Sequence, residues 1–259
     1  MHASISPTPL SMHLLPGAFH ISYSTSRLNR QQSPSSIIAE MAIKVYGIAS
    51  YNGQRVTLTL LEFGVEDFEL VKVDLAAGEQ LKPEFLAINP FAEIPVLEWG
   101  DFHLYESRAI ARYIAEKFKE QGPENFLGKT LEERAVVYQW IESESHQFND
   151  SAFSPWVMEY YLAYYEEKRP VRKEVLAPLR ARLEKFFDRV EARLSKSKFL
   201  AGEYYTMADM NTAPSLWHIM NFEPELITSR KHVKAWYEIL TSRPTFKKML
   251  EADAGWPLL

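Results

Sequence analysis

Ser50 lies in the segment Ser50-Tyr51-Asn52-Gly53, where a predicted strand at residues 43–47 gives way to a predicted helix. A hydroxyl at such a turn can donate a hydrogen bond to an anion, and the N-terminal end of the helix dipole adds to the stabilisation of negative charge. An ordinary N-cap explains a serine here equally well, and Asn52 offers a competing cap. Taken alone, the position of Ser50 favours the interpretation as an ordinary N-cap.

Glu106 and Ser107 form a second polar segment between a predicted strand and a predicted helix. The Ser107 hydroxyl and the unpaired backbone N–H groups of the helix start would form an anion pocket suited to a carboxylate. The alternative is that this pair only caps the helix.

The composition excludes several kinds of chemistry. The chain has no Cys, so catalysis by a protein thiol, disulfides and thiolate metal sites are excluded, and any thiol must come from a ligand. Its seven His are scattered without metal-ligand spacing, so we predict no metal. A net charge of -5 without a basic run predicts no nucleic-acid partner, and the absence of a long apolar stretch predicts no membrane partner.

The order of the predicted elements describes an α/β thioredoxin-like N-terminal domain. A strand at residues 43–47 is followed by a helix that ends at Gly64 and a second strand at residues 68–73. Residues 89–99 then lead into a strand, which the turn at Gly100-Asp101 can pair with residues 102–105 as a hairpin, after which Ser107 opens another helix. This β-α-β and β-β-α order predicts a mixed four-stranded sheet.

Long helical patterns replace the strand patterns beyond residue 120, for example at residues 131–148 and 176–194. The second domain is therefore predicted to be all-α. We predict a thioredoxin-like domain at residues 41–120, a linker at residues 121–130 and an all-helical domain at residues 131–259.

Residues 1–40 form an extension of different composition. The first 39 residues contain nine Ser, two Arg and no Asp, Glu or Lys. This pattern is typical of an organellar transit peptide, and the alternatives are a disordered extension or an upstream start before initiation at Met41. We expect a cytoplasmic or chloroplast location.

Several motifs in order resemble one family, from Met41 to about residue 250. They are Asn89-Pro90-Phe91 with Ile94-Pro95-Val96-Leu97, Leu104-Tyr105-Glu106-Ser107-Arg108-Ala109-Ile110, Tyr138-Gln139-Trp140-Ile141-Glu142, Phe199-Leu200-Ala201-Gly202 with Thr206-Met207-Ala208-Asp209, and Val233-Lys234-Ala235-Trp236. The sequence resembles the glutathione transferases, and within them the plant phi class with a catalytic serine.

The resemblance implies that glutathione is the co-substrate and that Ser50 is the catalytic residue. Only the thiolate of glutathione is a good nucleophile, so the enzyme must lower a thiol pKa of about 8.5. In phi-like enzymes a serine hydroxyl at the position of Ser50 donates a hydrogen bond to this thiolate. Tyr51 is the second choice, because some transferases use a tyrosine near this point.

The resemblance also implies which residues bind the γ-glutamyl and cysteinyl units of glutathione. Ser107 would bind the γ-glutamyl carboxylate and Glu106 would balance its ammonium group. Pro95 resembles the family's cis proline, which leaves the backbone of Ile94 to pair with the cysteinyl unit in the manner of an added strand.

The sequence departs from the family pattern where the glycyl carboxylate should bind. Gln80 and Leu81 stand where phi-like enzymes have His and Lys, Lys82 is one residue late, and Glu93 replaces a glutamine beside the peptide. Each lost charge-assisted hydrogen bond costs about 1.5 to 3 kcal/mol. We therefore predict weak glutathione binding.

Residues 153–165 are unusually aromatic and should face the thiol site across the domain cleft. Phe153, Trp156 and Tyr160, together with Tyr51, could form the pocket for hydrophobic electrophiles, or the helical aromatics could belong to the core. Phe91 is predicted to anchor a homodimer, the alternative being a turn aromatic.

Thr206 and Asp209 have the spacing of a capping box and are predicted to be structural rather than catalytic. Replacing Asp209 by Ala is expected to cost about 0.5 to 2 kcal/mol.

The resemblance implies an enzyme that conjugates the glutathione thiolate to hydrophobic electrophiles or reduces organic hydroperoxides, with roles in detoxification and stress. The principal alternative is a noncatalytic carrier of apolar ligands with weak glutathione affinity, which Gln80, Leu81 and Glu93 favour. A third is a purely structural module.

Overall fold

The computed structural model describes residues 42–47 and 50–253. The extension at residues 1–40, its interpretation as a transit peptide and the alternative start at Met41 lie outside the described residues. The predicted cellular location depends on that extension and stays a prediction.

One mixed sheet forms the N-terminal part, in the strand order β2-β1-β3-β4. Strand β1 runs parallel to β2 and antiparallel to β3, and β3 pairs antiparallel with β4. Val45 lies opposite Leu70 and Leu97 and is fully buried, because alternate residues of β1 point to the covered face of the sheet. The predicted sheet is confirmed; its strands are β1 Ile43–Tyr46, β2 Phe68–Val71, β3 Val96–Trp99 and β4 Phe102–Tyr105.

Two longer helices of this part pack against each other and cover the sheet. The first ends close to Gly64, whose φ of 70° is readily adopted only by glycine at a helix end. The helices are α1 Tyr51–Glu62, α2 Pro83–Leu86 and α3 Ser107–Lys117, and a short 3-10 turn at Glu79–Leu81 precedes α2.

Described residues from 131 onward form helices and connecting loops without a strand, as predicted. The domain boundaries at residues 120 and 131 stay predictions. The elements are α4 Leu131–Ser143, a π-helical segment Glu144–Phe153, α5 Ser154–Tyr161, a π-helical turn Leu162–Glu166, α6 Lys173–Leu194, α7 Met207–Phe222, α8 Glu225–Thr228, α9 Lys231–Ser242 and α10 Pro244–Ala252.

Helix α1 connects the two parts of the molecule, because it packs on α3 on one side and on α7 and α10 on the other. Its buried residues therefore occupy most of its circumference. The N-terminal end of α1, where Ser50 lies, is held at the boundary between the sheet and the helical part.

Thr206 and Asp209 form a capping box at the start of α7, in which each side chain binds the backbone of the other residue. The fully buried Asp209 carboxylate also accepts hydrogen bonds from the Leu200 amide at 2.9 Å and from Trp236 Nε1 at 3.0 Å. Asp209 therefore joins the start of α7 to the preceding loop and to α9.

In the part of the chain that the structure describes, no helix combines the length and the apolar character that crossing a bilayer requires. Over the same residues, no cluster of three or more His, Asp or Glu side chains is arranged to hold a metal ion.

Candidate active site

Ser50 is the N-cap of α1 and is 8% exposed. Its Oγ accepts a hydrogen bond from the Gly53 amide at 3.0 Å, and the Gly47 carbonyl lies 3.5 Å away. A hydroxyl accepts through its lone pairs and donates through its proton, so Ser50 can cap the helix and still donate to a ligand. The two interpretations of Ser50 are compatible.

An apolar cavity of about 310 Å³ lies between the N-terminus of α1 and helix α5. Ser50, Tyr51 and Asn52 form its wall on the α1 side, and Leu75 and Ile94 contribute apolar surface from two loops. The hydroxyl predicted to activate a thiol therefore opens directly into a space suited to apolar molecules.

Tyr51 also lines this cavity, with its ring packed edge-on against Phe153 at a centroid distance of 4.9 Å. Burial raises the pKa of Tyr51, and a hydrogen bond with Ser154 opposes this shift. The phenol therefore stays protonated at neutral pH.

Phe153, Trp156 and Tyr160 lie in the core rather than in the cavity wall, which corrects the predicted pocket. Phe153 and Trp156 are fully buried and Tyr160 nearly so. Trp156 Nε1 and the Tyr160 hydroxyl both donate to Glu223, at 3.1 and 2.8 Å. The side chains of this segment that line the cavity occupy the adjacent helical face and are Ser154, Val157, Met158 and Tyr161.

A polar cavity of about 150 Å³ lies beside the apolar one. Asn52 and Ile94 line both cavities. The structure brings five of the predicted glutathione-binding residues together in the polar cavity, namely Glu93, Ile94, Pro95, Glu106 and Ser107. The peptide bond between Ile94 and Pro95 is cis.

Glu106 precedes α3 with a φ of 69° and a ψ of 103°, a conformation that costs a non-glycine residue about 1–3 kcal/mol. Such strain persists only where the surroundings hold the residue in place. Ser107, the first residue of α3, is buried next to it.

A buried arginine fixes the polar residues of the two helix starts. Arg55 NH1 donates to Asn52 Oδ1 at 2.6 Å and to Ser107 Oγ at 2.7 Å, and Arg55 Nε donates to the Asn211 carbonyl at 3.1 Å. The side chain of Arg55 therefore links α1, α3 and α7.

Glu144 supplies the negative charge of this network and is 1% exposed. It lies 3.5 Å from Arg55 NH2 and accepts two hydrogen bonds from Arg108, at 2.9 and 3.0 Å. Burial, and next the charge of Arg108, lower the pKa of Arg55 to about 10, and Glu144 opposes this. The sequence analysis missed Glu144 because no local pattern marks a buried ion pair.

Gln80, Leu81 and Lys82 line neither cavity. Lys82 Nζ is 3.1 Å from Glu79 Oε1, and the Leu81 side chain is 63% exposed. Gln80 Nε2 donates to the Leu75 carbonyl at 3.4 Å.

Phe91 is 67% exposed, and its ring contacts Tyr105 at a centroid distance of 5.6 Å. Its predicted role in a dimer stays a prediction.

A thioredoxin-like sheet joined to a helical part, with a hydroxyl-capped helix start between a polar and an apolar cavity, defines a class of two-part proteins with two adjoining cavities of different polarity. Residues 41–116 match the family model for the glutathione S-transferase N-terminal domain, and residues 153–244 match the model for its C-terminal domain. The chain belongs to the glutathione S-transferase family.

Similar proteins include glutathione S-transferase F11 of Arabidopsis thaliana, which is 41% identical over 83% of this chain and 100% of that protein. The crystal structure of glutathione transferase F7 from Populus trichocarpa, also 41% identical, superposes with a TM-score of 0.76 over 82% of this chain and 99% of that chain. Maize glutathione S-transferase I in complex with an atrazine glutathione conjugate is 32% identical, with a TM-score of 0.74 over 83% of this chain and 100% of that chain.

The resemblance to the plant phi class is confirmed by these F-type relatives. The family is one of enzymes, so the chain is an enzyme with glutathione transferase activity. The comparisons do not support the alternative of a noncatalytic carrier.

Proposed function

We propose that this enzyme binds glutathione in the polar cavity and directs its thiolate, held by Ser50, at hydrophobic electrophiles in the apolar cavity. The observation that carries the proposal is that Ser50, a hydroxyl at the start of α1, opens into an apolar cavity that shares Asn52 and Ile94 with a polar one. A tripeptide in one cavity thereby presents its thiol to the other. Reduction of organic hydroperoxides would use the same thiolate.

The residues of the polar cavity fit the γ-glutamyl end of the peptide. The N-terminus of α3 offers unpaired backbone N–H groups and the Ser107 hydroxyl to the carboxylate, while Glu106 offers a negative charge to the ammonium. Ile94 and Pro95 line the same cavity beside them. A solved structure of a similar protein, glutathione S-transferase-I bound with lactoylglutathione, shows that a relative holds a ligand of this type.

Ser50 is sufficient for the thiol activation that the reaction requires. One unit of pKa corresponds to about 1.4 kcal/mol, and a charge-assisted hydrogen bond contributes about 1.5–3 kcal/mol. The positive end of the α1 dipole adds about 0.3–1 kcal/mol. Together they lower a thiol pKa by about one to three units.

Conjugation of glutathione to chlorodinitrobenzene tests the role of Ser50. We expect Ser50→Ala to raise the pH midpoint of kcat/KM by about one to two units and to reduce turnover at neutral pH. Ser50→Thr, which keeps both the hydroxyl and the cap, should retain most of the activity, and Tyr51→Phe should behave like the wild type. Undiminished turnover of Ser50→Ala, with an unchanged midpoint, would contradict the proposal.

Glutathione binding is proposed to be weak because the cavities contain few cations for its carboxylates. Glu93, Glu106 and Asp150 all line the polar cavity, and the ammonium of Lys82 is paired with Glu79 outside it. Calorimetric titration should give a dissociation constant well above the low micromolar range. A low micromolar value would refute this expectation.

A homodimer anchored by the exposed Phe91 is part of the proposal, since an exposed aromatic of this size suits an interface core. Sedimentation should show a dimer for the wild type and a shift toward monomer for Phe91→Ala. A role in detoxification and stress, in the chloroplast or the cytoplasm, is also proposed. Imaging a fluorescent fusion to residues 1–40 would separate the two locations.

A further inference from the structure

Glu166 is the only charged side chain among the described residues that line the apolar cavity. Apart from Glu166, the wall consists of apolar and neutral polar side chains from α1, two loops and α5. Its side chain is exposed to solvent, so its charge is partly screened and acts mainly on a ligand group that comes close to it. The wall therefore has one electrostatically distinctive point.

The carboxylate of Glu166 is held in position by Tyr161. The Tyr161 hydroxyl donates a hydrogen bond to Glu166 Oε1 at 2.9 Å, and both side chains line the cavity. Burial first, and then Glu166 and Asp74, raise the pKa of Tyr161 to about 12, so the phenol keeps its proton. Because that proton points to Glu166, both groups present hydrogen-bond acceptors to a ligand.

The two arginines that follow Glu166 in the chain pair with a different carboxylate. Glu159, which is 1% exposed, accepts hydrogen bonds from Arg169 NH1 at 2.6 Å and from Arg172 Nε at 2.9 Å. Arg169 also forms an ion pair with Glu167. These contacts hold the loop after Glu166 in place and engage its two arginines away from the cavity wall.

Tyr161 and Glu166 lie at the opposite end of the cavity from Ser50. Ser154, at the start of α5, is next to Tyr51, and Tyr161 is the last residue of the same helix. At 1.5 Å per residue, the two ends of α5 are roughly 10 Å apart. An electrophile that reacts beside Ser50 therefore reaches Glu166 only if it extends about as far as two linked aromatic rings.

We propose that Glu166, positioned by Tyr161, determines specificity for extended electrophiles, selecting those with a cationic or hydrogen-bond-donating distal group and disfavouring those with an anionic one. This inference rests on the proposed function of the apolar cavity and specifies the substrate class. Like charges brought together in such a site repel, and a matched donor or ammonium group is attracted.

The proposal is tested with three N-benzyl amides of chloronitrobenzoic acid. They differ only in the para substituent of the benzyl ring, which is a carboxylate, a hydrogen or an aminomethyl group. We expect kcat/KM, normalised to the uncatalysed rate, to be at least about tenfold higher for the aminomethyl than for the carboxylate compound. Glu166→Gln should reduce this ratio to within about threefold, whereas the matched control Glu167→Gln should leave it near the wild-type value. A wild-type ratio near one, or a ratio that Glu166→Gln does not change, would overturn the proposal.

Binding of analogues without the chlorine separates this inference from the proposed function. Calorimetry with these unreactive compounds should give the same order of affinity and the same effect of Glu166→Gln. If the order holds while no compound is conjugated, the inference stands and the proposed function fails. If conjugation proceeds at equal rates and the analogues bind equally, the function stands and the role of Glu166 is refuted.

Discussion

Asp209→Ala should destabilise the protein far more than the loss of an ordinary helix cap. The carboxylate is fully buried and accepts from the Leu200 amide, the Thr206 amide, the Thr206 hydroxyl and Trp236 Nε1, at 2.9 to 3.0 Å. An exposed cap is worth about 1 kcal/mol. Each buried donor left without an acceptor costs about 1–3 kcal/mol, and the Thr206 hydroxyl alone can rotate to another partner.

The three buried N–H donors therefore raise the expected loss to on the order of 3–9 kcal/mol. This exceeds the 0.5 to 2 kcal/mol expected for a cap alone, and is a large share of a typical stability of about 5–15 kcal/mol. Urea unfolding followed by far-ultraviolet circular dichroism measures it. All variants should be compared at one protein concentration, because dimerisation would contribute to the apparent stability.

Thr130→Ala is the matched control, because Thr130 caps α4 at an exposed position through one hydrogen bond to the Glu133 amide. It should cost about 0.5–1 kcal/mol. Asp209→Asn keeps one carbonyl acceptor, so its loss of stability should lie between those of Asp209→Ala and Thr130→Ala. Equal losses for Asp209→Ala and Thr130→Ala would refute the reasoning.

Three further predictions concern charge. Glu144→Gln should cost about 3–5 kcal/mol in urea unfolding, because the buried Arg55 and the partly buried Arg108 lose their counter-charge; a loss below about 1 kcal/mol would contradict this. Burial lowers the pKa of His218 to about 4, so the unfolded chain binds this proton more readily and His218 contributes a rise in stability between about pH 4 and 6.5. Burial also raises the pKa of Asp209 to about 6, which contributes a slope of opposite sign, so the effect of His218 is measured as the difference between wild type and variant. His218→Gln should remove this contribution, which amounts to on the order of 3 kcal/mol in the free energy of unfolding. Identical pH dependence of the free energy of unfolding in wild type and variant would contradict this. Glu93→Gln removes a negative charge from the polar cavity and should tighten glutathione binding about threefold to tenfold in a calorimetric titration, whereas Leu81→Lys, outside both cavities, should leave the affinity unchanged. Unchanged affinity of Glu93→Gln would show that Glu93 does not weaken binding.

The sequence predicted the elements that depend on short-range patterns. The strand at Ile43–Tyr46 follows from alternation, and the capping box at Thr206 and Asp209 follows from two residues three positions apart. The placement of Ser50 before the first helix has the same origin. Such features need only a few neighbouring residues, so they can be read without knowing the rest of the fold.

Only the folded chain shows which of residues 153–161 belong to the core and which line the apolar cavity. Trp156 and Tyr160 lie on one face of α5, and Val157, Met158 and Tyr161 lie on the next. Both faces are apolar or aromatic, so periodicity does not distinguish the core from the cavity wall. Trp156 and Tyr160 belong to the core because both donate hydrogen bonds to Glu223, which follows α7 and forms an ion pair with Arg180 of α6.

The sequence by itself determined the order of the elements, the capped start of α1 and the absence of a protein thiol. Only the tertiary structure placed Arg55 against the Asn211 carbonyl, 156 residues away, with Glu144 as the counter-charge, and kept Lys82 out of both cavities. The physical reason is that caps and periodic patterns depend on local backbone geometry, whereas a buried charge depends on partners that packing alone brings within hydrogen-bond distance.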